Sequence, residues 1–167
     1  MEGKRMADSR IITAQVMNPQ DVNPAGNVHG GVIMKLIDTA AGSVGIRHAR
    51  ANVVTASIDR LDFLGPVFIG DLVTFKASLN YVGRTSMEIG VRVEAQTLMT
   101  NVVRHTASAY LTFVALDPNG RPMEVPPLIM ETDDDYRRNR EAKARREMRI
   151  QEKRSEKSRV VKPSAQE

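Results

Sequence analysis

Gly30-Gly31-Val32-Ile33-Met34-Lys35-Leu36-Ile37-Asp38-Thr39-Ala40-Ala41-Gly42-Ser43-Val44 is the stretch whose reading settles the architecture of this chain. Ile33, Leu36, Ile37, Ala40, Ala41 and Val44 recur at i, i+3, i+4, i+7, i+8 and i+11, the spacing of one buried helical face. That spacing predicts a helix over about residues 30–48, with Asn27 as a candidate N-cap. Upstream, Asn18-Pro19-Gln20-Asp21-Val22-Asn23-Pro24-Ala25-Gly26-Asn27 is a dense run of turn formers and predicts a loop.

On either side of the helix the period changes to two. Residues 10–17 alternate in part, with Ile12, Ala14 and Val16 against Thr13 and Gln15, and suit a first strand; the ten residues before them are polar and are expected to be loose. Val53–Phe63 is rich in β-branched residues and is broken by Gly65-Pro66, with a turn at Ile69-Gly70-Asp71. Val73, Phe75, Ala77, Leu79 and Tyr81 then alternate with polar residues, as do Met87, Ile89, Val91, Val93 and Ala95 after a turn at Gly83-Arg84. Val102–Leu116 is a further strand, stopped by Asp117-Pro118-Asn119-Gly120. About five strands and one helix make an α+β domain in which an antiparallel sheet wraps the helix. Such a sheet keeps exposed edges, which a second copy of the chain would protect.

After Pro126-Pro127 the composition shifts. Asp133-Asp134-Asp135 followed by an Arg- and Lys-rich run suits the dipole of a charged surface helix over 131–150. Residues 151–167 offer almost no apolar anchor, and a disordered tail is expected there.

The formal net charge is +4, but residues 1–130 hold 12 Lys and Arg against 11 Asp and Glu, so the excess sits mainly in the tail. With no Trp and 4% aromatic residues, stacking platforms for nucleic acid are scarce, and nucleic-acid binding is not expected. The absence of Cys removes disulfides, thiolate zinc sites and a cysteine nucleophile together. No apolar run is long enough for a membrane span, and Met1-Glu2-Gly3-Lys4-Arg5 leads into no signal-peptide core, so a soluble, cytoplasmic protein is expected.

Four places carry possible chemistry. Asp38 shares a helical stripe with Met34, Ala41, Gly42 and Gly45, so a carboxylate sits beside the buried face and needs either a partner or a use. Function and a bland capped carboxylate both remain open on this pattern. Asn27 to Gly31 opens the helix, where free backbone N–H groups and the dipole favour a developing oxyanion; close helix–sheet packing explains the glycines equally well. His29 has the ordinary range of an acid or base, against a structural role at a loop end. Gly83-Arg84-Thr85-Ser86 offers an Arg and two hydroxyls for phosphate oxygens, or forms an ordinary polar hairpin end. His48 and His105 lack metal-ligand spacing and are expected on the surface or in the sheet, and no Gly-x-Ser-x-Gly elbow supports a serine triad.

Taken together, Gly26–Asp38, Asp62-Phe63-Leu64-Gly65-Pro66-Val67 with Gly70-Asp71, Val82–Glu88 and Ala109–Asp117 resemble the acyl-CoA hydrolase branch of the hotdog superfamily, over a domain of residues 8–130. The resemblance implies a hotdog fold and a thioesterase that hydrolyses fatty acyl-CoA to free fatty acid and CoA. It implies Asp38 as general base or nucleophile, working with Asn27 of a partner subunit; two-domain members divide these roles between repeats, whereas this chain keeps both. It implies backbone N–H groups of Gly30 and Gly31 at the thioester oxygen, Val54, Thr55 and Ala56 lining the site, and Arg84, Thr85 and Ser86 facing CoA. No metal and no cofactor is implied, since CoA is part of substrate and product. A homodimer is the minimum unit, with a homohexamer built as a trimer of dimers. A non-catalytic acyl-CoA-binding module and a hotdog hydratase using His29 are the alternatives.

Overall fold

The computed structural model describes residues 1–160, with side chains through residue 156. Its elements are β1 (Lys4–Arg5), α1 (Met6–Ser9), β2 (Ile11–Val16), a 3-10 turn (Pro19–Asp21), α2 (Gly30–Ala49), β3 (Asn52–Phe63), β4 (Asp71–Val82), β5 (Ser86–Thr97), β6 (Val102–Leu116), β7 (Leu128–Ile129) and α3 (Asp133–Val160). β1 and β7 form a short parallel pair, and the remaining strands form one antiparallel sheet in the order β2-β4-β5-β6-β3. The period-2 stretches therefore became strands and the period-3.6 stretch became α2, each within a few residues of its expected bounds.

The sheet curls around α2. Ile33, Ile37, Ala40, Ala41 and Val44 are buried against Phe75, Leu79, Met87, Ile89, Leu111 and Phe113. Burial of each large side chain stabilises the fold by about 1.5–3 kcal/mol. Contact is close because the helix is glycine-bearing on this side: a Cβ at Gly45 would lie 3.3 Å from Val53 Cγ2 and 3.6 Å from Met87 Cε. α2 ends where Arg50 takes a left-handed conformation (φ 55°) and returns its N–H to the carbonyl of Ile46.

Four expectations are corrected. The first ten residues are ordered: β1 pairs with β7, and Met6 and Ser9 are buried beside α2 and the sheet. His48 is fully buried, because its place on the helix faces α1 and the loop before β7 rather than solvent. Its Nε2 donates to the carbonyl of Pro126 (2.8 Å), so Nδ1 accepts from the Ser9 hydroxyl (3.1 Å) in the neutral ring. On β2, Ile12 and Val16 share the outer face with Lys76 and are 64% and 43% exposed, while Thr13 and Gln15 pair with the inward Phe75 and Val73. The alternation there is real but points away from α2.

The last correction concerns α3. It continues to Val160, so residues 151–160, expected to be disordered, are helical; residues 161–167 lie outside the described residues. No Gly or Pro interrupts the run from 133 to 160, which leaves nothing to stop the helix. Nor is α3 a merely solvated rod. It lies on the outer face of the sheet through a row of polar contacts: Arg138 to Ser78 (2.8 Å), Asn139 to the carbonyl of Asn80 (2.9 Å), and Arg145 to Glu88 (2.7 Å). Arg145 also stacks 3.8 Å above the Tyr110 ring. Burial opposes its charge, but the Glu88 carboxylate more than offsets this and holds the guanidinium above its ordinary range.

Burial holds the His48 imidazole below its ordinary pKa, and the Lys4 ammonium, bonded to the His48 carbonyl, pushes the same way. The folded state therefore keeps His48 neutral where the unfolded chain takes up a proton. Its contribution to stability is complete above about pH 6.5 and declines as pH falls below that value, by at most about 1.4 kcal/mol per pH unit. Urea midpoints measured between about pH 7.5 and 5 should fall on acidification, and His48→Gln should remove that slope. The window lies above the ordinary carboxylate range, which keeps the effect separate from acids such as Glu94.

Candidate active site

Asp38 stands on the flank of α2, half-buried, next to the fully buried Ile37. The close approach of helix and sheet brings it to β3, where the Thr55 hydroxyl donates to Asp38 Oδ1 at 2.6 Å. Its other oxygen, Oδ2, accepts no hydrogen bond from any described residue. Val54, Thr55 and Ala56 lie on the edge strand of the sheet and are exposed, Val54 by 42%. Thr55 opposes Phe113 on β6, whereas Ser57 opposes Thr112, so Ala56 is the extra residue of a β-bulge.

The entry to α2 forms a second group. His29, rather than Asn27, is the N-cap: its Nδ1 accepts from the Gly31 N–H at 2.9 Å. Asn27 lies too early for that role, because the intervening Val28 is tied to Val22 and Val67. The Gly31 amide is thereby engaged, and the Gly30 N–H is left without a partner among the described residues. Gly30 has the Phe63 ring against it, at 3.3 Å from where a Cβ would stand. A cleft of about 400 Å³ opens here, lined by Asn23, Asn27, Gly30, Phe63, Pro66 and Thr106 among others.

In the sequence Asn23 is one more turn former in the loop before α2. Its Oδ1 accepts from the backbone N–H of Ala25 (2.9 Å) and of Asn27 (3.2 Å), which identifies that atom as the oxygen. The side-chain NH₂ is then oriented by the loop and has no partner among the described residues. The available signal was the Asx-turn pattern, an Asn two residues before the amide that it receives.

The Gly83–Ser86 turn lies apart from both groups. Ser86 is level with Val114, and Val114 with Val54, so the turn sits two strand spacings, roughly 10 Å, across β6 from the edge strand. Arg84 is exposed and its side chain bonds no described residue. Along α2, eight residues separate Gly30 from Asp38, a rise of about 12 Å. One chain thus brings Asp38 to Thr55, and Asn23 and Asn27 to Gly30, but does not bring these two groups together.

A carboxylate with a free oxygen, an oriented amide donor and a free N–H at a helix start are the parts of an acyl-transfer site, supplying a base or nucleophile and donors for an oxyanion. Comparisons with known proteins give the family. The Thioesterase superfamily model matches residues 25–101. The mouse cytosolic acyl coenzyme A thioester hydrolase is 40% identical over 146 residues, covering 86% of this chain and 38% of that protein. The chain therefore spans well under half the length of the mammalian relatives it matches. An acyl-CoA hydrolase from Staphylococcus aureus, solved in complex with butyryl coenzyme A, coenzyme A and coenzyme A disulfide, is 36% identical with a TM-score of 0.86, covering 94% of this chain and 96% of that one. Forms of that enzyme with single Asn→Ala, Asp→Ala and Thr→Ala substitutions are also known, at positions separated by 15 and 17 residues. An apo-hexameric acyl-CoA thioesterase is 35% identical with a TM-score of 0.88, covering 91% of this chain and 97% of that one. The chain belongs to the acyl-CoA hydrolase family of the hotdog thioesterase superfamily.

If His29 serves α2 as its cap, His29→Ala should lower stability by on the order of 1 kcal/mol. His29→Asn, which keeps a capping side chain, should restore most of the loss in the same denaturation experiment.

Proposed function

We propose that this chain is an acyl-CoA thioesterase that hydrolyses fatty acyl-CoA to the free acid and CoA at a site shared between two copies. The observation that carries the reading is Asp38, held through one oxygen by Thr55 and with the other unpartnered among the described residues. As a general base, Asp38 takes a proton from a water that attacks the thioester carbon; as a nucleophile, it forms an anhydride that water then opens. In either route the C–S bond breaks and CoA leaves as a thiolate, a good leaving group that needs no metal. In a first turnover in ¹⁸O water, label in Asp38 with none in the acid marks an anhydride opened by water at the Asp38 carbonyl, whereas the base route leaves Asp38 unlabelled and puts the label in the acid.

The donor opposite Asp38 is assigned to Asn23 in preference to Asn27. Both line the same cleft, but only Asn23 has its amide oriented by the loop. Asn23, Asp38 and Thr55 are also separated by 15 and 17 residues, the intervals of the Asn, Asp and Thr replaced in the S. aureus enzyme. The Gly30 N–H adds a backbone donor, and Arg84, Thr85 and Ser86 remain the proposed contacts for CoA.

The distance along α2 requires the Asp38 of one copy to meet the Asn23 cleft of another. β3 is the natural joint: a twelve-residue edge strand with free backbone groups and exposed Val54 and Ile58. A homodimer is thus the proposed minimum unit. The hexameric relative supports a trimer of dimers, and the name of the mouse relative supports a cytosolic setting.

The test is release of free thiol from acyl-CoA by the purified chain. Asp38→Ala should lose turnover by at least about a hundredfold with the fold intact, and Asn23→Ala should lose about a hundredfold as well. Asn27→Ala should cost less than about tenfold; a loss equal to that of Asp38→Ala would return the role to Asn27. Mixing inactive Asp38→Ala and Asn23→Ala subunits should regain activity, because each hybrid pair contains one complete site. Binding of acyl-CoA without any thiol release would mark a non-catalytic module instead.

A further inference from the structure

α3 runs across the outer face of the sheet from β4 to the edge strand that carries Thr55. Its contacts move in order from Ser78 and Asn80 on β4, to Glu88 on β5, to Tyr110 and Thr112 on β6, and finally to Asp59 on β3. The last contact is made by Arg149. Its guanidinium bonds Asp59 and reaches the Thr112 hydroxyl, and both members of the ion pair are largely buried, at 18% and 10% exposed.

Asp59 sits at an unusual place. The register of β3 against β6 shifts twice, between Thr55 and Ser57 and again between Ile58 and Arg60. Ala56 and Asp59 are the two extra residues. The first shift turns Ser57 to the outer face while Thr55, two residues earlier, points inward to Asp38. An unbulged strand would direct both to the same face. Ser57 in turn donates to Asp59 Oδ1 at 2.7 Å, and Thr112 donates to Asp59 Oδ2 at 2.8 Å. A continuous set of contacts therefore links Arg149 through Asp59 and Ser57, across the Ala56 bulge, to Thr55 and Asp38.

We infer that Arg149 is a positioning residue: by holding Asp59 it fixes the double bulge of β3 and so aims the Thr55 hydroxyl at the Asp38 carboxylate. The terminal helix thereby becomes part of the catalytic apparatus without touching substrate. The inference rests on the reading of Asp38 as the reactive group. Bulges beside active sites re-aim side chains in this way, and a small misplacement of a reacting group is enough to slow chemistry severely.

The test combines steady-state kinetics on acyl-CoA with hydrogen exchange of the β3 segment, residues 52–63. Arg149→Ala should lower kcat about tenfold or more with KM within about twofold, while exchange rises in β3 and stays at the wild-type level in α2. Arg149→Lys, which keeps a cation for Asp59, should recover a large part of kcat. Ser57→Ala removes one hydroxyl and leaves the α3 contact in place, so it decides the matter should Arg149→Ala fail to fold; it should lower kcat with the protection of α3 unchanged. Wild-type kcat in both alanine variants would overturn the inference, as would a loss of kcat with no change in β3 exchange. Full activity in Asp38→Ala would instead sink the proposed mechanism, and β3 exchange in Arg149→Ala would still report whether Arg149 orders the bulges.

Discussion

The close approach of α2 to the sheet is the constraint on which the rest of the molecule depends. A Cβ at Gly42 would already touch the Phe113 ring at 3.5 Å, and one at Gly45 would press on Val53 Cγ2 at 3.3 Å, so the helix backbone lies directly against the strands. Because the helix lies this near the strands, a short carboxylate on its flank reaches a hydroxyl on β3 directly. A helix set further out would leave Asp38 to solvent and Thr55 without an acceptor. The packing that closes the core and the geometry that presents the carboxylate are one and the same contact.

The two faces of the sheet are covered by different physics. The inner face is apolar and buries α2 with large aliphatic and aromatic side chains. The outer face is covered by α3 through Arg145–Glu88, Arg149–Asp59, and the Arg138 and Asn139 hydrogen bonds. Buried ion pairs add little net stability over apolar contacts, but removing one partner is severe, so they are selective about position. An apolar helix on this face would slide to whatever register buried most surface. Arginines aimed at single carboxylates specify one register, and that register is what sets Arg149 on Asp59.

Most of the fold was legible in the sequence because periodicity reports which face of an element is buried. β4 and β5 show it clearly, since Val73, Phe75, Ala77 and Leu79, and Met87, Ile89, Val91, Val93 and Ala95, all join the core around α2. Only Tyr81, past the register shift after Leu79, leaves the alternation and meets α3. Other features were invisible for identifiable reasons. Period-2 reasoning assumes an unbroken ladder, so it does not see the bulges at Ala56 and Asp59, where the facing direction changes. His48 is expected on the surface or in the sheet because its burial depends on α1 and Pro126, both distant from that helix in sequence or assigned no structure. The charged run of α3 reads as solvated because sequence alone does not reveal the acidic partners waiting on the sheet. Asp38 was legible since a carboxylate on an apolar stripe is anomalous, whereas Asn23 was hidden in a loop whose every residue is a common turn former. Asn27 is nearer the helix and is the residue that the resemblance implies; the choice of Asn23 belongs to the proposed function.

The choice of Asn23 bears on why the proposed site would be divided between copies. Asn23 is held by a loop whose backbone curls onto its own side-chain oxygen, and Asp38 by a helix flank pressed on a strand, so each is rigid without the other. Rigid halves about 12 Å apart along one helix cannot be closed together by a loop movement, because α2 itself spans the gap. In the proposed dimer, juxtaposing them through the edge strand of a second copy would supply the missing distance, and twofold symmetry would complete a second site by the same contact. The strand that would form this joint is the one whose bulges are held by α3. In the proposed assembly, the terminal helix therefore governs both the aim of Asp38 and the shape of the edge presented to the partner.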